Sequence, residues 1–167
     1  GTPIIAQVCK TFAPKRIRGM AKTKPPVDQE FIMALNLGVR RCLEIVSNDL
    51  SKIEPFWACE AVTAHLMVHL NDTVRMLDFA GHRLTFTDDL PTNVDVTSQI
   101  KFVRDAMCHI GSGRRDMDEF KNKLSFGMQV GKGCLVSLPD KKLECPYEDD
   151  QAIFMGHHRL LVRRHIH

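Results

Sequence analysis

Residues 54–81 read EPFWACEAVTAHLMVHLNDTVRMLDFAG and carry a long helical pattern. Pro55 suits the first position of a helix, where no backbone N–H is needed. Gly81 is typical of a helix end. Between them, apolar side chains recur at steps of three and four residues, which places them on one helical face: Ala58, Val62, Leu66, Leu70, Val74 and Leu77. We therefore predict a helix that starts at Pro55 and ends near Gly81.

Two further helical patterns flank this segment. Asp28 is a suitable N-cap for a helix that runs to about residue 47. A third helix ends at the glycines Gly111 and Gly113, and a short helix over 115–123 follows. The apolar positions of the first helix are Phe31, Leu35, Val39, Leu43 and Val46, and those of the third are Ile100, Val103, Met107 and Ile110.

From Leu124 onward the pattern changes to alternation, which predicts strands. Gly131-Lys132-Gly133 favours a β-hairpin between the strands on either side of it, and Pro139-Asp140 marks a second turn. Extended segments at 151–155 and 160–162 complete a small antiparallel sheet. We predict an α+β fold, a bundle of three to four helices (28–123) followed by a β-rich part (124–167), in a single domain. Residues 1–27 are expected to form an extended basic arm.

Composition excludes several classes of protein. A net charge of +3 over 167 residues is too small for binding nucleic acid by bulk charge, so any contact with a polyanion must be local. No apolar run approaches the roughly 20 residues of a membrane-spanning helix. Six cysteines occur without any Cys-x-x-Cys pair, which favours free thiols in a reducing compartment. We expect a protein of the cytoplasm with no membrane partner.

The sequence also argues against two common catalytic motifs. The glycines at 127, 131 and 133 lack the spacing of a phosphate-binding loop and a following helix. Gly111-Ser112-Gly113 ends a helix, whereas a nucleophilic serine elbow connects a strand to a helix. His65 and His69 are spaced one helical turn apart, as metal ligands are, but a third ligand is hard to find. A metal-binding protein centred on this pair is therefore one alternative.

The third helix carries the strongest candidate site, in the segment Arg104-Asp105-Ala106-Met107-Cys108-His109. An arginine is permanently cationic and can hold a phosphate, whereas a histidine can transfer a proton near neutral pH. On a helix, Asp105 would lie one turn from His109 and could orient its ring. Two other arginine–histidine pairs, Arg75/His82 and Arg159/His165, lack an acidic residue after the arginine. These groups are the parts needed to cleave RNA without a metal ion.

This segment resembles the Arg-(four to six residues)-His motif of the HEPN superfamily, helical proteins of prokaryotic conflict and toxin–antitoxin systems. The resemblance covers about residues 28–123 and implies a metal-independent ribonuclease with no cofactor. It implies that His109 takes the proton of a ribose 2′-hydroxyl, Arg104 stabilises the phosphoryl charge, and Asp105 orients the histidine or contacts substrate. The family builds its site from two copies of the motif, which implies a homodimer. Arg114 and Arg115, just beyond the motif, would extend the RNA-binding surface.

A second class of function stays open. Many HEPN proteins are inactive binding modules, and the segment 124–166 lies outside the resemblance. In this alternative the helical half dimerises and the predicted hairpin docks a protein partner. The two hypotheses differ at His109, whose substitution abolishes RNA cleavage in the first and changes nothing measurable in the second.

Overall fold

The computed structural model describes residues 27–109, 113–117 and 122–166. The predicted basic arm, the glycine stop at Gly111 and the middle of the short helix over 115–123 lie outside these residues. At the ends of that predicted helix the expectation is wrong. Gly113–Arg115 form a 3-10 turn, and Asp116 pairs with Lys123 in an isolated antiparallel bridge.

Three α-helices form the first part of the fold: α1 (Gln29–Ser47), α2 (Phe56–Phe79) and α3 (Val96–Cys108). The predicted start of α1 is confirmed, because the Asp28 carboxylate accepts a hydrogen bond from the amide of Phe31 at 2.8 Å. Pro55 is the N-cap of α2, so the helix begins at Phe56, one residue later than predicted. Gly81 follows the helix with φ of 84°, a conformation that glycine adopts without strain.

The end of α3 differs from the prediction. The helix ends at Cys108, and His109 is its C-cap residue with an extended backbone (φ −120°, ψ 94°). His109 therefore follows the last helical turn instead of lying within it. The carbonyl groups of Ala106 and Met107, which another turn of helix would have used, are bound by the side chain of Arg115.

Five strands follow: β1 (Gly127–Val130), β2 (Gly133–Ser137), β3 (Lys142–Cys145), β4 (Gln151–Met155) and β5 (His158–Leu161). They form a three-stranded antiparallel sheet in the order β1-β4-β5 and a two-stranded sheet of β2 and β3. The predicted α+β class, helices followed by a small antiparallel sheet, is confirmed.

The hairpin lies at a different turn from the one predicted. Strand β1 does not pair with β2 across Gly131-Lys132-Gly133 but with β4, in a register that places Gly127 opposite Phe154. The described strands instead form two hairpins, β2–β3, which turns at Pro139-Asp140, and β4–β5, which turns at Gly156-His157. The reason is burial: the backbone N–H and C=O groups of Ala152 to Met155 lie in the interior, so both edges of β4 need hydrogen-bond partners, which β1 and β5 provide.

The two faces of β4 explain how the layers are held together. Ile153 and Met155 point into the main apolar core, which they share with residues of all three helices, whereas Ala152 and Phe154 point the opposite way. On that opposite face they pack with Leu143 of the β2–β3 hairpin. The helices, the three-stranded sheet and the hairpin thus form three successive layers.

A buried carboxylate fastens residues 162–166 to this assembly. The side chain of Asp150 has no exposed surface and accepts hydrogen bonds from the amides of Gln151 and Arg163, both at 2.7 Å. It also binds the amide and the guanidinium of Arg164, at 3.2 and 2.9 Å. Residues Val162–Ile166 form a π-helical turn above it, and Ile166 is fully buried.

Among the described helices, none combines the length and the apolarity that crossing a bilayer requires. The five cysteines within the described ranges are free thiols, as predicted. Cys42, Cys59 and Cys145 are buried, whereas Cys108 and Cys134 are exposed. Burial raises the pKa of the Cys42 thiol to about 12, so this group is an unreactive part of the core.

Candidate functional site

The C-terminal half of α3 positions the predicted catalytic residues. Its inner face is fully buried, with Ile100, Val103 and Ala106 packed into the core. Arg104 and Asp105 lie on the flank of the helix, where their side chains keep 21% and 14% of their surface exposed. The arginine is therefore mostly covered but partly accessible, on a rigid element that favours precise placement of a charge.

Two cations surround the Asp105 carboxylate. Arg104 Nη1 lies 2.9 Å from Asp105 Oδ1, and Lys101 Nζ lies 3.0 Å from Oδ2. These contacts position Arg104, a task that differs from the ring orientation implied for Asp105 by the family resemblance. Lys101 was not among the predicted site residues, although its spacing of four residues from Asp105 on a helix was a usable signal.

His109 is exposed at the end of α3. Its backbone amide donates to the carbonyl of Asp105 at 3.0 Å, which closes the final turn of the helix. Within the described ranges, no hydrogen bond holds the imidazole of His109, and the residue is exposed. An accessible imidazole of this kind can accept or donate a proton.

Arg104 and His109 belong to the same end of α3, but their side chains do not bind one another. Positions five residues apart on a helix are separated by about 140° around its axis. The extended backbone at His109 replaces this helical geometry. No hydrogen bond joins the two side chains in the part of the chain that the structure describes. In the structure the side chain of Arg104 contacts the carboxylate of Asp105, and the backbone carbonyl of Asp105 accepts a hydrogen bond from the amide of His109.

Arg115 is not available to a nucleic acid in the way the sequence predicts. Only 8% of its surface is exposed. Its guanidinium donates to the carbonyls of Ala106 at 2.6 Å and Met107 at 3.0 Å, and to the Ser125 hydroxyl at 3.2 Å. We assign it the structural task of capping α3. The side chain of Arg114 lies outside what the structure describes.

The rival pair Arg159/His165 is excluded as an open site by burial. His165 is 1% exposed, and both of its ring nitrogens are occupied. Nδ1 accepts from the amide of Leu161 at 3.0 Å, and Nε2 lies 3.0 Å from the carbonyl of Asp88. A ring that accepts at Nδ1 and donates at Nε2 is neutral. His165 is therefore a component of the core.

No family model, curated protein or solved structure matches the chain. The residues of α3 and their surroundings are therefore the basis from which a function is inferred.

Proposed function

We propose that the protein is a metal-independent endoribonuclease similar to the HEPN proteins of toxin–antitoxin and phage-defence systems. The observation that supports it is the end of α3, where a partly exposed arginine held by an ion pair and an exposed histidine occur within five residues of one another. The site residues of the proposal are Arg104, Asp105 and His109. A cytoplasmic location belongs to the same proposal, because free thiols and an RNA substrate both suit a reducing cell interior.

The proposed reaction uses the 2′-hydroxyl of the RNA as its nucleophile. The imidazole of His109 removes the proton from this hydroxyl, whose oxygen then attacks the adjacent phosphorus. Negative charge increases on the phosphoryl oxygens as the new bond forms, and the guanidinium of Arg104 stabilises it. The 5′-oxygen leaves and takes up a proton. The products are a 2′,3′-cyclic phosphate and a 5′-hydroxyl.

A homodimer supplies the second proton carrier. In a two-fold symmetric pair, each residue of the interface occurs twice around the axis. If the ends of α3 meet at that axis, His109 of the partner subunit can protonate the leaving oxygen while His109 of the first subunit acts as the base. Asp105 holds each Arg104 in place through their 2.9 Å contact.

The decisive experiment is cleavage of a single-stranded RNA oligonucleotide in EDTA. Wild-type protein should yield products that end in a cyclic phosphate, and His109→Gln should slow cleavage by about 10²–10⁴-fold, the usual contribution of a general base. His65→Gln is the matched control, because it removes an exposed imidazole from α2 and should cleave normally. Equal rates for wild type and His109→Gln, or cleavage that EDTA abolishes, would contradict the proposal.

The second candidate function is a non-catalytic interaction or dimerisation module. It is favoured by large apolar side chains that the described part of the chain leaves exposed, among them Trp57 at 70% and Phe56 at 61%. Apolar surface of this kind commonly binds a protein partner. This reading predicts that wild-type protein and His109→Gln are equally inactive on RNA while both bind the partner.

A further inference from the structure

A pair of histidines occupies the outer side of α2, away from the α3 site. His65 and His69 lie one turn apart, and their Nε2 atoms are separated by 3.0 Å. The ring planes are nearly perpendicular, at 88°, with centroids 4.3 Å apart. Both rings reach solvent, since His65 is exposed and His69 is partly exposed. The two Nε2 atoms therefore lie side by side at an accessible place on the surface of α2.

The separation of the nitrogens fits two ligands of one metal ion. Histidine nitrogens bind zinc at about 2.0–2.1 Å, so two such ligands at tetrahedral or square-planar angles lie about 2.9–3.4 Å apart. The observed distance of 3.0 Å falls in this range. Since a regular helix imposes the spacing of residues i and i+4, the site needs little rearrangement to accept an ion.

Metals bind neutral imidazole, and the hydrogen bond between the two rings needs an unprotonated Nε2 on one of them as its acceptor. In the metal-free pair one Nε2 donates a proton to the other. A bound ion replaces that proton, which moves to Nδ1 of the same ring, so no net proton release is required.

We propose that His65 and His69 form a two-imidazole binding site for a divalent transition-metal ion such as Ni²⁺, Cu²⁺ or Zn²⁺. The described residues contain no group of three or more His, Cys, Asp and Glu side chains arranged for a metal. The protein therefore supplies two ligands within these ranges, and the other coordination positions are open to water. This site is separate from the proposed RNA chemistry and does not depend on it.

Titration of the purified protein with NiCl₂ at pH 7.5, followed by calorimetry, tests the site. Wild-type protein should bind one ion, and His65→Gln and His69→Gln should each bind it about 10²-fold more weakly, because a second ligand on the same helix acts at high effective concentration. His82→Gln, which removes a histidine beyond the end of α2, should bind as wild type does. The proposal is overturned if all four proteins bind alike or if wild-type protein binds no ion.

Electron paramagnetic resonance of the Cu²⁺ form provides a second readout that does not depend on affinity. Wild-type protein should show hyperfine coupling to two imidazole nitrogens, and each single variant should show coupling to one. Both signals should disappear at pH 5, where protons compete for the rings. A wild-type spectrum without two equivalent nitrogens would contradict the site. Circular dichroism of each variant confirms that the fold is intact.

Discussion

Arg115 Nε lies 2.6 Å from the carbonyl oxygen of Ala106, which is in the last turn of α3. A second guanidinium nitrogen reaches the carbonyl of Met107 at 3.0 Å. Carbonyl groups at a helix end have no partner within the helix, and a cation there also interacts favourably with the helix dipole. The residue that the sequence suggested for RNA binding instead completes the helix that carries Arg104 and His109.

Substitution of Arg115 should therefore affect folding. Arg115→Ala removes hydrogen bonds from a charged donor to buried carbonyls, and we expect it to lower the free energy of unfolding by about 2–3 kcal/mol. Arg115→Lys should not restore this loss, because one ammonium cannot reproduce the fork of the guanidinium. Urea denaturation measures the effect. If Arg115→Ala left the stability unchanged but weakened RNA binding, Arg115 would be an RNA-binding residue and its assignment as a helix cap would be wrong.

The two cations on Asp105 should differ in importance for RNA cleavage. Arg104→Gln should reduce the single-turnover rate by about 10²–10³-fold, the usual loss for a group that stabilises transition-state charge. Asp105→Asn should reduce it less, because Arg104 is then present but poorly held. Each substitution should also lower the free energy of unfolding by about 1–3 kcal/mol, because both side chains are mostly covered and the remaining partner loses a charged hydrogen bond. Rates are therefore compared under conditions where circular dichroism shows every variant to be folded.

Lys101→Gln is the matched control for these variants. It removes the other cation from the same carboxylate while the contact between Arg104 and Asp105 is kept. We expect cleavage at the wild-type rate, measured on the same oligonucleotide. A loss with Lys101→Gln as large as that with Arg104→Gln would show that the total local charge matters more than the placement of the arginine.

The proposed dimer can be detected through Cys108. This thiol is exposed and adjoins His109, so a two-fold axis at the ends of α3 places it close to Cys108 of the partner subunit. In a Cys9→Ser background, a short bismaleimide should join two chains covalently, as seen by denaturing electrophoresis. Cys108→Ser should abolish the product, and Cys134→Ser should leave it intact. Cross-linking that requires Cys134 instead would place the interface on the hairpin.

The buried His165 predicts a loss of stability at mildly acidic pH. Burial lowers its pKa in the folded protein; Arg159 acts in the same direction, whereas the Asp88 carbonyl, Asp89 and Asp150 oppose the shift. In the unfolded chain a histidine titrates at about pH 6.5. The unfolded state thus binds more protons just below this pH, and the free energy of unfolding falls as the pH decreases from about 6.5.

Chemical denaturation at a series of pH values measures this dependence, which His165→Gln should flatten between about pH 6.5 and the lower folded pKa. Asp95 provides a comparison at lower pH. Despite its partial burial, hydrogen bonds from Arg83 and Ser98 lower its pKa, so its contribution is lost only below the ordinary range of an aspartate, near pH 4. A wild-type slope that persists in His165→Gln would assign the dependence to another group.

The sequence predicted the helices well because residues at or next to each helix end determine where the helix starts and stops. Asp28 caps α1 through its own side chain, and Gly81 ends α2 through its backbone conformation. The pairing of β1 with β4 was not predictable from turn residues, since Gly127 and Phe154 are far apart in sequence. The pairing follows from the burial of β4, because the buried backbone groups on both of its edges need hydrogen-bond partners. This burial exists only in the assembled fold.

The residues of the candidate site could be predicted from the sequence, but the local backbone around them could not. The segment Arg104 to His109 was identified from residue types and spacing, and the structure places it at an accessible helix end. The early end of α3 was missed because it depends on Arg115, whose long side chain returns from the following turn. A contact of this kind leaves no periodic signal in the sequence.

The buried carboxylate of Asp150 has a consequence for biosynthesis. Its partners include the amides of Arg163 and Arg164, so this carboxylate cannot be buried with its hydrogen bonds made until those residues have left the ribosome. The central strand β4 leaves the ribosome earlier, and its apolar side chains stay exposed to water until the sheet can close. We expect helices α1 to α3 to form during translation, whereas closure of the sheet follows the synthesis of residue 166 and makes the nascent protein a client for chaperones in that interval.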